Sequence, residues 1–377
     1  MRTLDELPTP AAVVDLDRLA ANLRRMQDYV DVHGLRLRPH IKTHKARWIA
    51  QEQVRLGAVG VTVATPIEAA EIGPAAPEVL VAYPAFGPRA EALARVIARQ
   101  QSDDGAPADF LAGLDSVDAV RSLRGALDRA GASRPVGVLV EVDLGMRRCG
   151  VADAQEAAAI ARACDDGVAY RGILFYPGHI RQPVSEQDAD LETLGRDLGR
   201  VVRALGDAGL EPEIVSGGST PTAFRSHEVP HQTEIRAGTY VFNDRTTAAI
   251  GACEWDDCAY TILATVISTA VPGQAVVDAG TKTLSGDGIR APGCDGYGRL
   301  LNRPDVTVAG RSEEHGILDL SATDWRPRPG ERVRLIPNHV CVSVNLQRRV
   351  WGVRGEAVER VWDIGARHWY PSPDSPG

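Results

Sequence analysis

Arg38, His40, Lys42, His44 and Lys45 fall within eight residues, "RPHIKTHK", of a chain whose formal net charge is −8. A basic cluster in an acidic protein can be a solvated charge run, a patch for a polyanion, or one reactive lysine among supporting cations. If the stretch is a strand, Arg38, His40 and Lys42 share one side. A desolvated amine with cations nearby is available as a nucleophile, which is the chemistry of a Schiff-base lysine. The residues alone leave a second reading open, an exposed basic strand end.

A second candidate is "VSGGSTPTA", residues 215–223. Gly217 and Gly218 let backbone approach an anion, and Ser219 and Thr220 add hydroxyls at a helix start marked by a proline. Phosphate binding is the functional reading, and an ordinary Gly-Gly turn with a capping serine is the alternative. The third candidate is "PNHVCVSVNL", residues 337–346, where His339 and Cys341 are one residue apart. On a strand both side chains point the same way. Imidazole with thiolate suits zinc, and two protein ligands describe an open site. A core cysteine beside a hydrogen-bonded histidine fits the same pattern. "CEWDDC" (253–258) is half a zinc site with no matching second pair, so Cys253 and Cys258 are read as incidental. Glu314 and His315 in "SEEHG" have no role that the sequence specifies.

These residues need elements to hold them. From residue 11 to about 243 short apolar runs alternate with amphipathic stretches, beginning with "AAVVDL" (11–16) and "LRLRPHIK" (35–42). A helix follows the second run, with Thr43 as its N-cap. "VGVTVAT", "EVLVAYP", "DFLAGLD", "VGVLVEVD", "YRGILFY" and "EIVSGG" read as buried strands, and a helix carries Leu191, Leu194, Leu198, Val201 and Leu205 on one face. About eight strand–helix units predict a (β/α)8 TIM-type barrel over residues 1–245, with a doubly wound sheet as the alternative. The candidate lysine and the Gly-Gly turn then lie at strand ends on the catalytic face. Residues 246–377 are rich in short strands and read as a mostly β domain carrying the metal pair, which the first residues of the chain could join.

Composition sets the outer bounds. Apolar residues make up 44% and charged residues 24% of 377, as in a globular protein with a large core. The acidic balance argues against a nucleic-acid partner. No apolar run is long enough to span a bilayer, and the start of the chain has no signal-peptide pattern. Six scattered cysteines are not a disulfide framework, so a cytoplasmic location is expected.

Taken together, "TPAAVVDLDRLAANL", "RPHIKTHK", "EVDLGMRRCGV", "YPGHI", "SGGSTPT", "EIRAGTYVFND", "DAGTKTLS", "SEEHG" and "PNHVCVSVNL" resemble the fold type III pyridoxal-phosphate enzymes. The narrower likeness is to the D-serine dehydratase and D-threonine aldolase family, with its alanine racemase-like barrel. The resemblance implies that Lys42 carries pyridoxal 5'-phosphate. It implies that Gly217, Gly218, Ser219 and Thr220, with the Gly238-Thr239-Tyr240 loop, hold the phosphate. Tyr176 would lie beside the cofactor and Arg148 near its ring. His339 and Cys341 would bind a divalent metal, with zinc expected from the thiolate and manganese or magnesium as alternatives. The substrate would be a small D-amino acid, and the protein a homodimer. The His-x-Cys pair and "YPGHI" tilt the expectation to a dehydratase giving a 2-keto acid and ammonia. The aldolase, giving glycine and an aldehyde, is the alternative. A proline usual after the cysteine is Val342 here. A racemase or a non-catalytic cofactor-binding protein is the remaining reading.

Overall fold

Nine strands of one sheet are assembled from distant parts of the chain, as the computed structural model shows for the described residues 2–102, 109–368 and 370. The chain divides into two compact units. One comprises the residues up to Arg25, Arg181–Ser185 and Thr239–Gly365; the other comprises Met26–Ile180, Glu186–Gly238 and the segment from Ala366 on.

The first strand, β1 (Ala11–Asp15), is the "AAVVDL" run. It was expected at the head of the barrel series, but it pairs elsewhere, as described below. Helix α1 (Leu16–Val32) follows it. The barrel strands are β2 (Arg36–Leu37), β3 (Val61–Val63), β4 (Glu78–Val81), β5 (Asp109–Leu114), β6 (Val136–Glu141), β7 (Val168–Leu174), β8 (Ile214–Gly217) and β9 (Glu234–Ile235). They are all parallel, in the order β2-β9-β8-β7-β6-β5-β4-β3. The ring is joined beyond the short β2. Val59 N donates to Leu37 O (2.9 Å) and Thr62 N to Pro39 O (2.8 Å), with a parallel bridge between His40 and Thr62.

Helices α2 (Arg47–Leu56), α3 (Pro66–Glu71), α4 (Pro88–Ser102), α5 (Val117–Ala130), α6 (Ala154–Arg162) and α7 (Asp188–Asp207) supply the crossovers that parallel neighbours require. The expected face of α7, Leu191 to Leu205, is buried. Strand residues separate into two sets, because side chains alternate across a strand. Val79, Phe110, Val138, Ile173 and Val215 join the helices in the large core, while Leu80, Leu111, Leu139, Leu174 and Ile214 form a separate apolar layer. That second set, one residue per neighbouring strand, is a layer inside the ring.

The other unit holds the nine-stranded sheet. Helix α8 (Arg245–Ala249) leads to β10 (Tyr260–Ser268) and β11 (Gln274–Val277), then α9 (Thr281–Leu284), β12 (Gly298–Leu300), β13 (Val308–Arg311), β14 (Gly316–Asp319) and β15 (Arg332–Pro337). Helix α10 (Val340–Leu346) precedes β16 (Arg349–Arg354) and β17 (Ala357–Asp363). The sheet runs β13-β14-β11-β10-β1-β16-β17, and β15 pairs with β10 and β12. β1 is antiparallel to β10 and parallel to β16, which places the start of the chain in this unit. No helix among the described residues is long and apolar enough to cross a membrane.

Candidate active site

The strand expected through residue 42 ends sooner. Arg38 N and His40 N still donate to Ile235 O and Ala237 O (2.9 and 3.1 Å), but Pro39 between them has no N–H to give. The chain then tightens into a 3-10 turn, Ile41–Thr43, and half-buried Lys42 sits within it. The helix expected from Thr43 begins at Arg47 with Ala46 as N-cap. Lys45 has a left-handed backbone (φ 46°), which interrupts any helix begun at Thr43.

The basic cluster disperses. Arg38 is 1% exposed and forms a two-pronged bond to the fully buried Glu234, Nε–Oε1 2.9 Å and Nη2–Oε2 3.0 Å, with Nη2 also 2.8 Å from Glu78 Oε2. Lys45 Nζ lies 3.1 Å from Glu68 Oε1 and donates to Ala366 O (2.6 Å). Burial, with the charges of Lys42, Arg236 and Arg148, pushes the His40 pKa well down. Burial likewise pushes that of His44 down to about 3, against hydrogen bonds with Gln53 and the Ala46 amide. The expected set of cationic neighbours is therefore two ion-paired residues and two neutral imidazoles.

The chain contains three lysines, Lys42, Lys45 and Lys282. Lys45 pairs with Glu68, and the exposed Lys282 pairs with Glu314. Among the described residues Lys42 alone of the three has no carboxylate partner.

Across the same barrel, β8 ends at Gly217, and Gly218 follows it. Gly218 takes φ +90°, a conformation that favours glycine. A Cβ on Gly217 would stand 2.1 Å from the Phe175 ring. Ser219 then occupies the N-cap position of the expected helix, which is a 3-10 helix, Thr220–Glu228. Ser219 and Thr220 are buried, and Ser219 Oγ is 3.2 Å from Thr222 Oγ1. Gly238 lies against the lysine turn, since a Cβ there would be 2.6 Å from the His40 carbonyl oxygen. Glycines that keep backbone close, beside buried hydroxyls and a helical N-terminus, are a donor set that fits a phosphate.

Arg148 is exposed, with its guanidinium 4.8 Å from the centre of the Tyr176 ring. Two residues that the sequence reading passed over stand near them. Buried Arg236, next after β9, donates from Nη2 to Phe175 O (2.6 Å), while its Nε has no acceptor among the described residues. Burial lowers its pKa against the pull of Glu141. Burial raises the Glu141 pKa in turn, opposed by Arg236 and Arg148. The signal was an ionisable residue closing each of two strand-like stretches, Glu141 in "VGVLVE" and Arg236 in "EIR".

In the other unit, His339 and Cys341 do not share a strand. β15 stops at Pro337, and the chain coils into α10 with His339 at the N-cap position. The helical turn still brings the two side chains into hydrogen-bond contact. The Cys341 thiolate, against desolvation and helped by Asp244, raises the His339 pKa to about 11. The nitrogen and the sulfur so placed can also share a metal. His339 Nδ1 is 3.1 Å from Asp244 Oδ2, and Thr239 Oγ1 is 3.7 Å from Cys341 Sγ. The Thr239 hydroxyl, expected at the phosphate, thus faces the thiol, and Tyr240 is buried in this unit. Among the described residues no cluster of three or more His, Cys, Asp or Glu could hold a metal. The donor set fits a divalent ion held by two protein ligands, with the rest of its sphere left to smaller molecules. Cys253 and Cys258 are buried and donate to Thr247 Oγ1 and Asp244 O (3.6 and 3.7 Å). His315 Nδ1 is 3.3 Å from Ser312 Oγ.

Comparison with known proteins also finds two parts in the chain. Residues 14–246 match the alanine racemase N-terminal domain, and residues 259–353 match a putative serine dehydratase domain. The D-threonine aldolase of Arthrobacter sp. is 32% identical, aligned over 97% of this chain and 94% of that protein. The D-threo-3-hydroxyaspartate dehydratase of Delftia sp. (strain HT23) is 35% identical, over 90% and 93%. Its solved structure superposes with a TM-score of 0.85, covering 96% of this chain and 99% of that one. A cysteine-to-alanine variant of a D-threo-3-hydroxyaspartate dehydratase, solved in a metal-free form, is 32% identical with a TM-score of 0.85 over 96% and 99%.

Proposed function

Because the chain belongs to the fold type III pyridoxal-phosphate enzymes, those with an alanine racemase-like barrel and a serine dehydratase domain, we propose that it is a lyase. Its substrates are β-hydroxy-D-amino acids, and its reaction is dehydration to a 2-keto acid and ammonia. The observation that supports the dehydratase is the His339–Cys341 pair, whose thiolate favours zinc over harder ions.

Lys42 is the residue that would hold the cofactor, with Gly217, Gly218, Ser219, Thr220 and Gly238 around its phosphate. When bound, pyridoxal phosphate supplies the electron sink for a carbanion at Cα. A divalent ion on His339 and Cys341 supplies Lewis acidity to a hydroxyl oxygen. The residues of the chain do the rest. Lys42 Nζ takes the proton from Cα. The hydroxide that leaves Cβ can take up that proton as water, while burial pushes the pKa values of His40 and His44 down and leaves both imidazoles poor acceptors for it. Arg38 takes no part in the reaction, since its charge is spent on Glu234 and Glu78. Tyr176, which has Arg148 over its ring, would form one wall of the cofactor site.

A retro-aldol cleavage is the second reading, and the alignment with the Arthrobacter aldolase over nearly the whole chain favours it. Both reactions use the same residues and differ in which bond breaks. Incubation with D-threonine distinguishes them. The expected products are 2-oxobutanoate and ammonia; glycine and acetaldehyde would replace the dehydratase with the aldolase. The protein acts in this reading as a homodimer in the cytoplasm.

A further inference from the structure

We propose that Asp244 is the positioning residue of the metal site: it selects the nitrogen with which His339 binds the ion and fixes the backbone that carries Cys341. The inference rests on the reading of His339 and Cys341 as the metal pair.

Asp244 is wholly inaccessible to solvent, and a buried carboxylate is stable only if donors surround it. Its two oxygens are committed to two different tasks. Oδ1 accepts the Thr247 amide (2.9 Å) and lies 3.1 Å from the Thr247 hydroxyl, which caps α8. Oδ2 faces the metal pair and accepts two further donors, each at 3.1 Å, His339 Nδ1 and the amide of Val340.

The chemistry of the second oxygen decides the tautomer. A carboxylate can only accept, so the hydrogen between it and the ring belongs to Nδ1. A neutral His339 then has its lone pair on Nε2, and Nε2 is the nitrogen open to an ion. Donation from the far nitrogen of a ligand histidine to a carboxylate orients the ring and raises its basicity. The bond from Val340 N adds a second constraint. Val340 is the single residue between the two ligands, so the same oxygen holds the imidazole and the peptide that sets the ligand spacing. The Thr239 hydroxyl against Cys341 Sγ gives the thiolate its own neighbour, at the longer distance of 3.7 Å.

The test compares cofactor-loaded native protein with Asp244→Asn and Thr247→Ala. The introduced amide must turn its NH2 group either to the Thr247 amide or to Val340 N and His339. In the first case the ring keeps its tautomer but loses the carboxylate charge that raises its basicity; in the second the amide donates to Nδ1 and leaves the hydrogen on Nε2, so either orientation weakens the site. Zinc affinity is read by competition with a chromophoric chelator, and Co2+ by its thiolate-to-metal absorption. Asp244→Asn is expected to weaken zinc binding by about 10–100-fold and to diminish the Co2+ band. Cofactor absorbance should be unchanged. Thr247→Ala disturbs only the capping side, so it should lower Tm and leave zinc affinity within about threefold of native. Native zinc affinity in Asp244→Asn, with only a lowered Tm, would overturn the proposal and make Asp244 a helix cap. Should that variant not fold, long-range 1H–15N spectra of the zinc-loaded native protein decide the matter. Hydrogen on Nδ1 with the metal on Nε2 supports the proposal, and metal on Nδ1 overturns it. If the native protein binds no divalent ion, or if His339→Ala binds it as well as native, the metal-pair reading itself falls and takes this inference with it.

Discussion

Glu234→Gln tests how the barrel supports the lysine turn. Arg38 is 1% exposed and Glu234 is fully buried, four residues before Lys42 and two before Arg236. Glutamine keeps one acceptor but removes the negative charge, so Arg38 retains only Glu78, whose side chain is 39% exposed. Removing one partner of a buried ion pair costs about 3–5 kcal/mol, and the retained hydrogen bond puts this case near ~3 kcal/mol. At ~2–4 °C per kcal/mol for a domain of this size, Tm should fall by roughly 6–12 °C. The pH dependence has a defined sign. Burial pushes the Glu234 carboxyl up, but the Arg38 charge and hydrogen bonds overcome it and hold the group below its ordinary value. A lowered native value contributes stability that is complete above the unfolded carboxylate value and lost as pH falls through the native one. The difference between native and variant, followed by circular dichroism at several pH values, should be constant from neutrality to about pH 5. It should shrink under stronger acid. A Tm within 2 °C of native at pH 7, or a gap that widens on acidification, would refute the role given to this pair.

Two further predictions concern the site. Gly217→Ala drives a methyl group to 2.1 Å from the Phe175 ring, and such overpacking costs about 1–3 kcal/mol. Cofactor content per protomer should drop, and Phe175→Leu in the same chain should restore part of it; full occupancy in the single variant would remove Gly217 from the cradle. Treatment with a strong chelator should abolish turnover of D-serine or D-threonine while the cofactor absorbance persists, and added Zn2+ should restore it. Turnover unaffected by chelation would rule out a role for an ion on His339 and Cys341.

The periodic parts of the fold were legible in the sequence. Buried strands such as "VGVLVE" and the leucine face of α7 announce themselves because both faces of a parallel strand, and one face of its helix, must be apolar. Elements governed by local exceptions were not. Pro39 and the left-handed Lys45 turn an apparent strand and helix into a 3-10 turn. "AAVVDL" has the composition of a barrel strand but finds its partners in β10 and β16, nearly 250 residues away or more. Nothing in the spacing of His339 and Cys341 shows that a helical turn rather than a strand joins them. The charge cluster misled in a similar way, because Glu234, Glu78 and Glu68 neutralise it from distant positions. Asp244, Glu141 and Arg236 were invisible as partners for the same reason: each is one ionisable residue whose meaning comes from contacts far along the chain.

The identity of the cofactor lysine can be measured directly. Pyridoxal phosphate is loaded onto the native protein, fixed to its lysine by borohydride reduction, and located by peptide mass spectrometry. With three lysines in the chain the outcome is unambiguous. The pyridoxyl mass is expected on the peptide containing Lys42 and absent from Lys282. Because Lys45 is close in sequence, Lys42→Ala should remove the label, and Lys45→Met should retain it. Label on Lys45 or Lys282, or no label on the native protein, would contradict the assignment of Lys42 and the reaction built on it.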